Sequence, residues 1–150
     1  MSVAVENLII TQLVEYLNEN KDDIGLPCDV WNNEHTESGE ALYVEPNGGE
    51  RKQQVYIGGS YRGYFPFTLC YQLTNPEDED GRRARLDLPF YNLAGHLESL
   101  NDEITLGDGT KVVAEMITHP AISRMSEDGQ TVEHAAVFRL EYHVKRPTTN

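Results

Sequence analysis

The stretch YRGYFPFTLCYQL, residues 61–73, decides the fold. Tyr61, Gly63, Phe65, Phe67, Leu69, Tyr71 and Leu73 fall at every second position. Between them stand Arg62, Tyr64, Pro66, Thr68, Cys70 and Gln72. Successive side chains of a strand point to opposite faces, so alternation this long predicts a strand with one buried side. Gly63 and Pro66 predict a bend or bulge, and an edge position, in its first half. Upstream, Gln53 to Ile57 reads as strand and leads into Gly58-Gly59.

A second strand of the same kind closes the chain. Val132, His134, Ala136, Phe138, Leu140, Tyr142 and Val144 alternate with Glu133, Ala135, Val137, Arg139, Glu141, His143 and Lys145. Shorter strands are predicted at Glu103–Leu106, Lys111–Thr118 and Ala121–Met125, with turns at Gly107-Asp108-Gly109 and Glu127-Asp128-Gly129. Two more, Cys28–Trp31 and Ala41–Val44, flank an acidic loop, with a turn following at Pro46-Asn47-Gly48-Gly49. Helices are predicted where apolar residues recur at three- and four-residue steps. In residues 3–20 these are Val5, Leu8, Ile9, Leu13, Tyr16 and Leu17, with Ser2 as cap. In residues 88–100 they are Phe90, Leu93, Ala94, Leu97 and Leu100, with Pro89 in the first turn. Residues 76–86 form a charge block in which Gly81 opposes a helix begun at Pro76. The sum is one α+β domain over residues 1–150: a mainly antiparallel sheet, two helices on one face, and a disordered tail at 146–150.

Charge narrows the function. There are 25 acidic and 12 basic residues, a formal charge of −13. Affinity for nucleic-acid phosphates comes from clustered Lys and Arg, so neither sequence-specific nucleic-acid binding nor an anionic membrane face is expected. No basic residue precedes the apolar run Leu8-Ile9-Ile10, and Ser2 follows Met1, so neither a secretory leader nor a myristoyl anchor is expected. Cys28 and Cys70 are too few for a disulfide scaffold and point to free thiols in a reducing cytoplasm, a Cys28–Cys70 bridge being the alternative.

Motifs that carry chemistry fail on their own requirements. Gly58-Gly59-Ser60-Tyr61-Arg62-Gly63 and Gly107-Asp108-Gly109-Thr110-Lys111 both lead into strands, whereas a phosphate loop needs a helix N-terminus. Asp78, Asp80 and Gly81 match part of a calcium loop, but its first ligand would be Pro76. Ser60 lacks the nucleophile-elbow pattern, since Arg62 stands where glycine is needed. Of the histidines His35, His96, His119, His134 and His143, only His143 shares a strand face with a carboxylate, Glu141, and a metal would need a third ligand. The expectation is no catalytic, cofactor-binding or metal residue, and no enzyme.

The order of elements and a few short phrases resemble the minor capsid, or tail terminator, proteins of phages with long non-contractile tails. The phrases are Tyr56-Ile57-Gly58-Gly59-Ser60-Tyr61 running into Phe65–Leu73, His96-Leu97-Glu98 on the second helix, His119-Pro120-Ala121-Ile122-Ser123-Arg124, and Ala135-Ala136-Val137-Phe138-Arg139-Leu140-Glu141-Tyr142. The resemblance spans residues 3–145. It implies a sheet flanked by helices and a structural role in the virion, built in the host cytoplasm. Such a protein caps the tail tube as a ring of six copies, meets the major tail tube protein, and offers the surface that joins the head-completion or connector protein. It brings no cofactor. Alternatives are a head-completion or connector protein of the same phages, a small enzyme using His96, His119 or Glu141, and an interaction module outside phage.

Opposite charges set in blocks suit head-to-tail contacts between copies in a ring. The expected subunit or tube contacts are therefore the loop Pro46–Gln54, with Glu50, Arg51 and Lys52, and the segment Pro76–Arg85, with Glu77, Asp78, Glu79, Asp80, Arg82, Arg83 and Arg85.

Overall fold

Two fourteen-residue strands, β4 (Tyr61–Thr74) and β8 (Thr131–Val144), form the spine of the protein. They pair antiparallel from Tyr61↔Val144 to Thr74↔Thr131 without a break in register. The computed structural model describes residues 2–32, 40–46, 52–55, 61–74, 79–107 and 109–144. The other elements are α1 (Ser2–Glu19), α2 (Lys21–Ile24), β1 (Val30–Asn32), β2 (Ala41–Pro46), β3 (Lys52–Val55), α3 (Glu79–Ser99), β5 (Glu103–Thr105), β6 (Lys111–Met116) and β7 (Ala121–Met125).

Each long strand serves two neighbours on its other side. β4 meets β3 along Tyr61–Tyr64 and β2 along Phe67–Gln72, and β8 meets β6 along Phe138–Tyr142 and β7 along Val132–Ala135. β1 and β5 extend the sheet, giving the order β1-β2-β4-β8-β6-β5 with β3 and β7 beside the spine. Among the described strand pairs, only β1 and β2 run parallel. The architecture is α+β, a mostly antiparallel sheet with α1 and α3 over one face.

That inner face is the core. Phe65, Phe67, Leu69, Tyr71 and Leu73 of β4 and Val132, Ala136, Phe138, Leu140 and Tyr142 of β8 are all buried, as period-two alternation requires. Phe67 and Phe138 are register partners and stack at 5.4 Å between centroids. Leu42, Val44, Val112, Ala114 and Ile104 continue the layer onto the flanking strands. α1 adds Ile9, Ile10, Leu13, Val14 and Leu17, and α3 adds Leu86, Phe90, Leu93 and Leu97. Asn18 fastens α1 to the sheet, its side-chain amide donating to the Val30 carbonyl at 2.9 Å and accepting from the Val30 N–H at 2.6 Å. This supplies β1 with the partners an edge strand lacks.

The structure corrects several expectations. α3 begins at Glu79 rather than residue 88, so Pro89 is interior to a 21-residue helix and not in its first turn. Proline withdraws one intrahelical hydrogen bond. The buried stripe Leu86-Phe90-Leu93-Leu97 passes on both sides of it, so packing carries the helix through. Leu8 and Leu100, expected in the helical stripes, are exposed, while Ile10 and Val14 are buried. Gly63 and Pro66 cause no bulge against β8, and β4 is central rather than an edge. Pro66 stands where β4 passes from the β3 ladder to the β2 ladder. The expected loop Pro46–Gln54 includes the end of β2 and the start of β3, and the segment up to Arg85 is helical from Glu79. β5 and β6 end at Thr105 and Met116, one and two residues earlier than expected. The turn residues Asn47 to Gly49 and the tail 146–150 lie outside the described residues.

Candidate interaction edge

All five residues of β7 are exposed. It pairs with β8 on one side, and no described residue pairs with the other. Its pairing runs Ala121↔Ala135, Ile122↔His134, Arg124↔Glu133 and Met125↔Val132. Ile122 and Met125 therefore sit opposite two buried residues of the inner face, yet they are 56% and 50% exposed. The apolar face continues onto β7, but the helix layer stops short of it. Ile117, leading into this edge, is exposed, as is Tyr91 of α3, whose hydroxyl lies 3.3 Å from His119 Nδ1. Residues 117–125 contain no acidic residue and one arginine, Arg124.

A buried carboxylate holds this edge from the opposite face. Glu133 was expected on the outward side of β8, and its side chain does point there, but it is only 4% exposed. Tyr43 Oη donates to Glu133 Oε1, and Ser123 Oγ donates to Oε2 at 2.6 Å. Arg124 Nε stands 3.8 Å from the same Oε2. A buried charge is tolerated when its lone pairs are met in this way. The group links β2, β8 and β7 across Cys70 of β4, the register partner of Tyr43.

Burial dominates the ionisation here. It pushes the Cys70 thiol up to about 12, with Glu133 adding to the shift, and Cys28 up to about 11, with Glu40 and Asp29 adding to it. Tyr43 and Tyr71 are raised well above the ordinary phenol range, first by burial and then by hydrogen bonds to Glu133 and Glu40. Both cysteines are free. A neutral thiol in the fold that ionises more readily when unfolded stabilises the native state below about pH 9, and that stability is lost as pH rises through the folded values. Urea melts at pH 7.5 and pH 10.5 should show lower stability at the higher pH, and Cys28→Ala/Cys70→Ala should reduce the difference.

The histidines have separate partners. His96 Nε2 is 2.8 Å from Tyr16 Oη, and His134 Nδ1 is 2.6 Å from Asp87 Oδ1, joining α3 to β8. Glu141 and His143 share the outer face, but Glu141 is taken by Arg62 at 2.6 Å and Arg139 at 3.6 Å. Arg139 in turn reaches Glu115 at 2.7 Å and lies over the Tyr64 ring. Arg62, Glu141 and His143, with Lys111 and Glu103, border a hollow of about 360 Å³. Among the described residues, no three His, Cys, Asp or Glu side chains converge to hold a metal.

Of the contact residues expected from charge, Glu50, Arg51, Glu77 and Asp78 lie outside the described residues. Lys52 opens β3 opposite Tyr64. Glu79, Asp80, Arg82 and Arg83 fall within the first turns of α3. Arg85 is exposed and lines a hollow of about 320 Å³ with Glu40, Tyr71 and Leu88. Sequence reasoning missed Ile122, Met125 and Glu133 as a group. Ala121–Met125 was legible as a strand, but regular alternation places residues 122 and 125 on opposite faces. No protein-family model matches the chain, and no curated protein matches it.

Proposed function

We propose that this protein is a tail terminator of a phage with a long non-contractile tail. In this reading it caps the tail tube as a ring of six copies, stops tube growth and offers the surface to which the head connector joins. The short phrases named above support it, as does the α+β fold that the resemblance implies. The observation that carries an assembly role is the exposed apolar inner face at β7, on a strand edge that no described residue pairs. The neighbour offered to it is a second copy. Copies with a formal charge of −13 repel one another, and an acid-free stretch bearing one arginine is where a second copy approaches with least repulsion. The acidity also suits a ring that genome DNA traverses, since few cations would hold phosphates. The blocks at 50–52 and 77–85 remain proposed contacts with neighbouring copies or the tube.

Electron microscopy of tails made without the protein tests the reading. Overlong tails are expected, and capping should be restored by the wild-type chain but not by Arg82→Glu/Arg83→Glu. Normal-length tails without heads would instead make this a connector protein. Restoration by the charge-reversed chain would remove Arg82 and Arg83 from the contact.

A further inference from the structure

Strand direction selects which edge of a second copy can receive β7. Among the described strands, β3 and β1 have a paired neighbour on one side only at the β4 end of the sheet, and β7 and β5 at the β8 end. A ring is built head to tail, so strand addition must join one edge from each end. β7 is antiparallel to β8 and so runs with β4, whereas β3 is antiparallel to β4 and runs the other way. β1 and β5 both run with β3. Rotation about a ring axis preserves the sense of each strand along that axis and keeps the inner faces on one side. β7 therefore meets β3 or β1 of the next copy antiparallel, whereas β5 would meet them parallel, the less stable ladder. The free side of β1 is closed, since the Val30 N–H and carbonyl are both bonded to Asn18. That leaves β7 against β3.

The outline of the sheet allows this contact. β7 lies level with Val132–Ala135 of β8, and β3 lies across β4 from Glu141–Val144. Bringing β3 of the next copy beside β7 offsets that copy by nine residues along the strands, about 30 Å. Its β1 and β2 then fall beyond the Met125 end of β7, and β5 and β6 of the first copy fall beyond the Val55 end of that β3. No described strand of one copy lands on a described strand of the other.

We infer that β7 of one copy pairs antiparallel with β3 of the next, so that the two sheets run on with a shared inner face past Ile122 and Met125. The choice of this head-to-tail contact over β7 pairing with itself rests on the terminator reading, because two-fold pairing closes at two copies and leaves both β3 edges open.

Cross-linking on completed tails tests the pairing. In a Cys28→Ala/Cys70→Ala background, chains carrying Met125→Cys and chains carrying Gln53→Cys should be joined one to one by a short bismaleimide when mixed. Neither should be joined to itself, and a chain carrying both should give a ladder ending at six. Amide exchange of the wild-type chain, free and on tails, needs no substitution. Exchange should slow about tenfold or more in β7 and β3 together, with β5 unchanged. Dimers of the Met125→Cys chain alone would overturn the proposal, since β7 would then pair with itself. So would protection of β7 without β3, or failure of the mixed cross-link on tails whose length depends on the protein. Tails of normal length in the complete absence of the protein would refute the terminator reading. The same mixture as concentrated purified chain then decides the pairing: a cross-link there leaves it standing, and its absence overturns it as well.

Discussion

Phe138→Ala should lower the free energy of unfolding by about 3–5 kcal/mol. Phe138 is fully buried at the centre of β8, opposite Phe67 of β4 and Met116 of β6. The substitution removes a ring from the stacked pair and leaves a cavity between strands whose positions are set by backbone pairing on both sides. Such a site cannot collapse as a helix end can, so the upper part of that range applies. Domains of this size hold about 5–15 kcal/mol in total, so the variant should be near the limit of folding. Urea unfolding should show a lower midpoint, while Phe138→Leu, which keeps most of the volume, should lose about 1 kcal/mol. A loss below about 1 kcal/mol for the alanine variant would mean the two rings do not share a packed core.

Gly63→Ala should destabilise by about 1–3 kcal/mol, although it adds a single carbon. Gly63 and Tyr142 are register partners on β4 and β8, and the Tyr142 ring lies across the glycine. A β-carbon there would stand 2.5 Å from Tyr142 Oη and 2.6 Å from Cζ. Tyr142 is 3% exposed and also packs on Phe65, so its ring has little room to yield. The glycine is needed for close approach and not for an unusual backbone angle. The prediction therefore reverses in a Tyr142→Ala chain, where alanine at 63 should be neutral or stabilising by up to about 1 kcal/mol, since alanine loses less backbone freedom than glycine. A thermodynamic cycle over the two sites should show coupling of at least about 1 kcal/mol, and additivity would disprove the contact.

The two long strands and both main helices were legible because each buries one side only, and a one-sided element writes its period into the sequence. The faces of β4 and β8, and the residues that stack between them, follow from that period. The length of α3 was not legible: Pro89 and Gly81 argue locally for a late start, and only the packing of Leu86 beside Phe90 overrides them. Gly63 signals a break in β4 when read alone, yet the structure uses it to seat a ring from the partner strand. The buried Glu133 could not be found by pattern, because its alternation assigns it to the open face and its donors come from residues 43, 123 and 124.

The amino-acid sequence by itself thus determined the α+β class, the sheet at its centre and the acidic surface, since periodicity and charge are local sums along the chain. Tertiary structure alone decided where the apolar face is left uncovered and which register β7 adopts. The first depends on how far the helix layer reaches over the sheet and the second on how β7 pairs with β8, and neither relation is written into the periodicity of one segment.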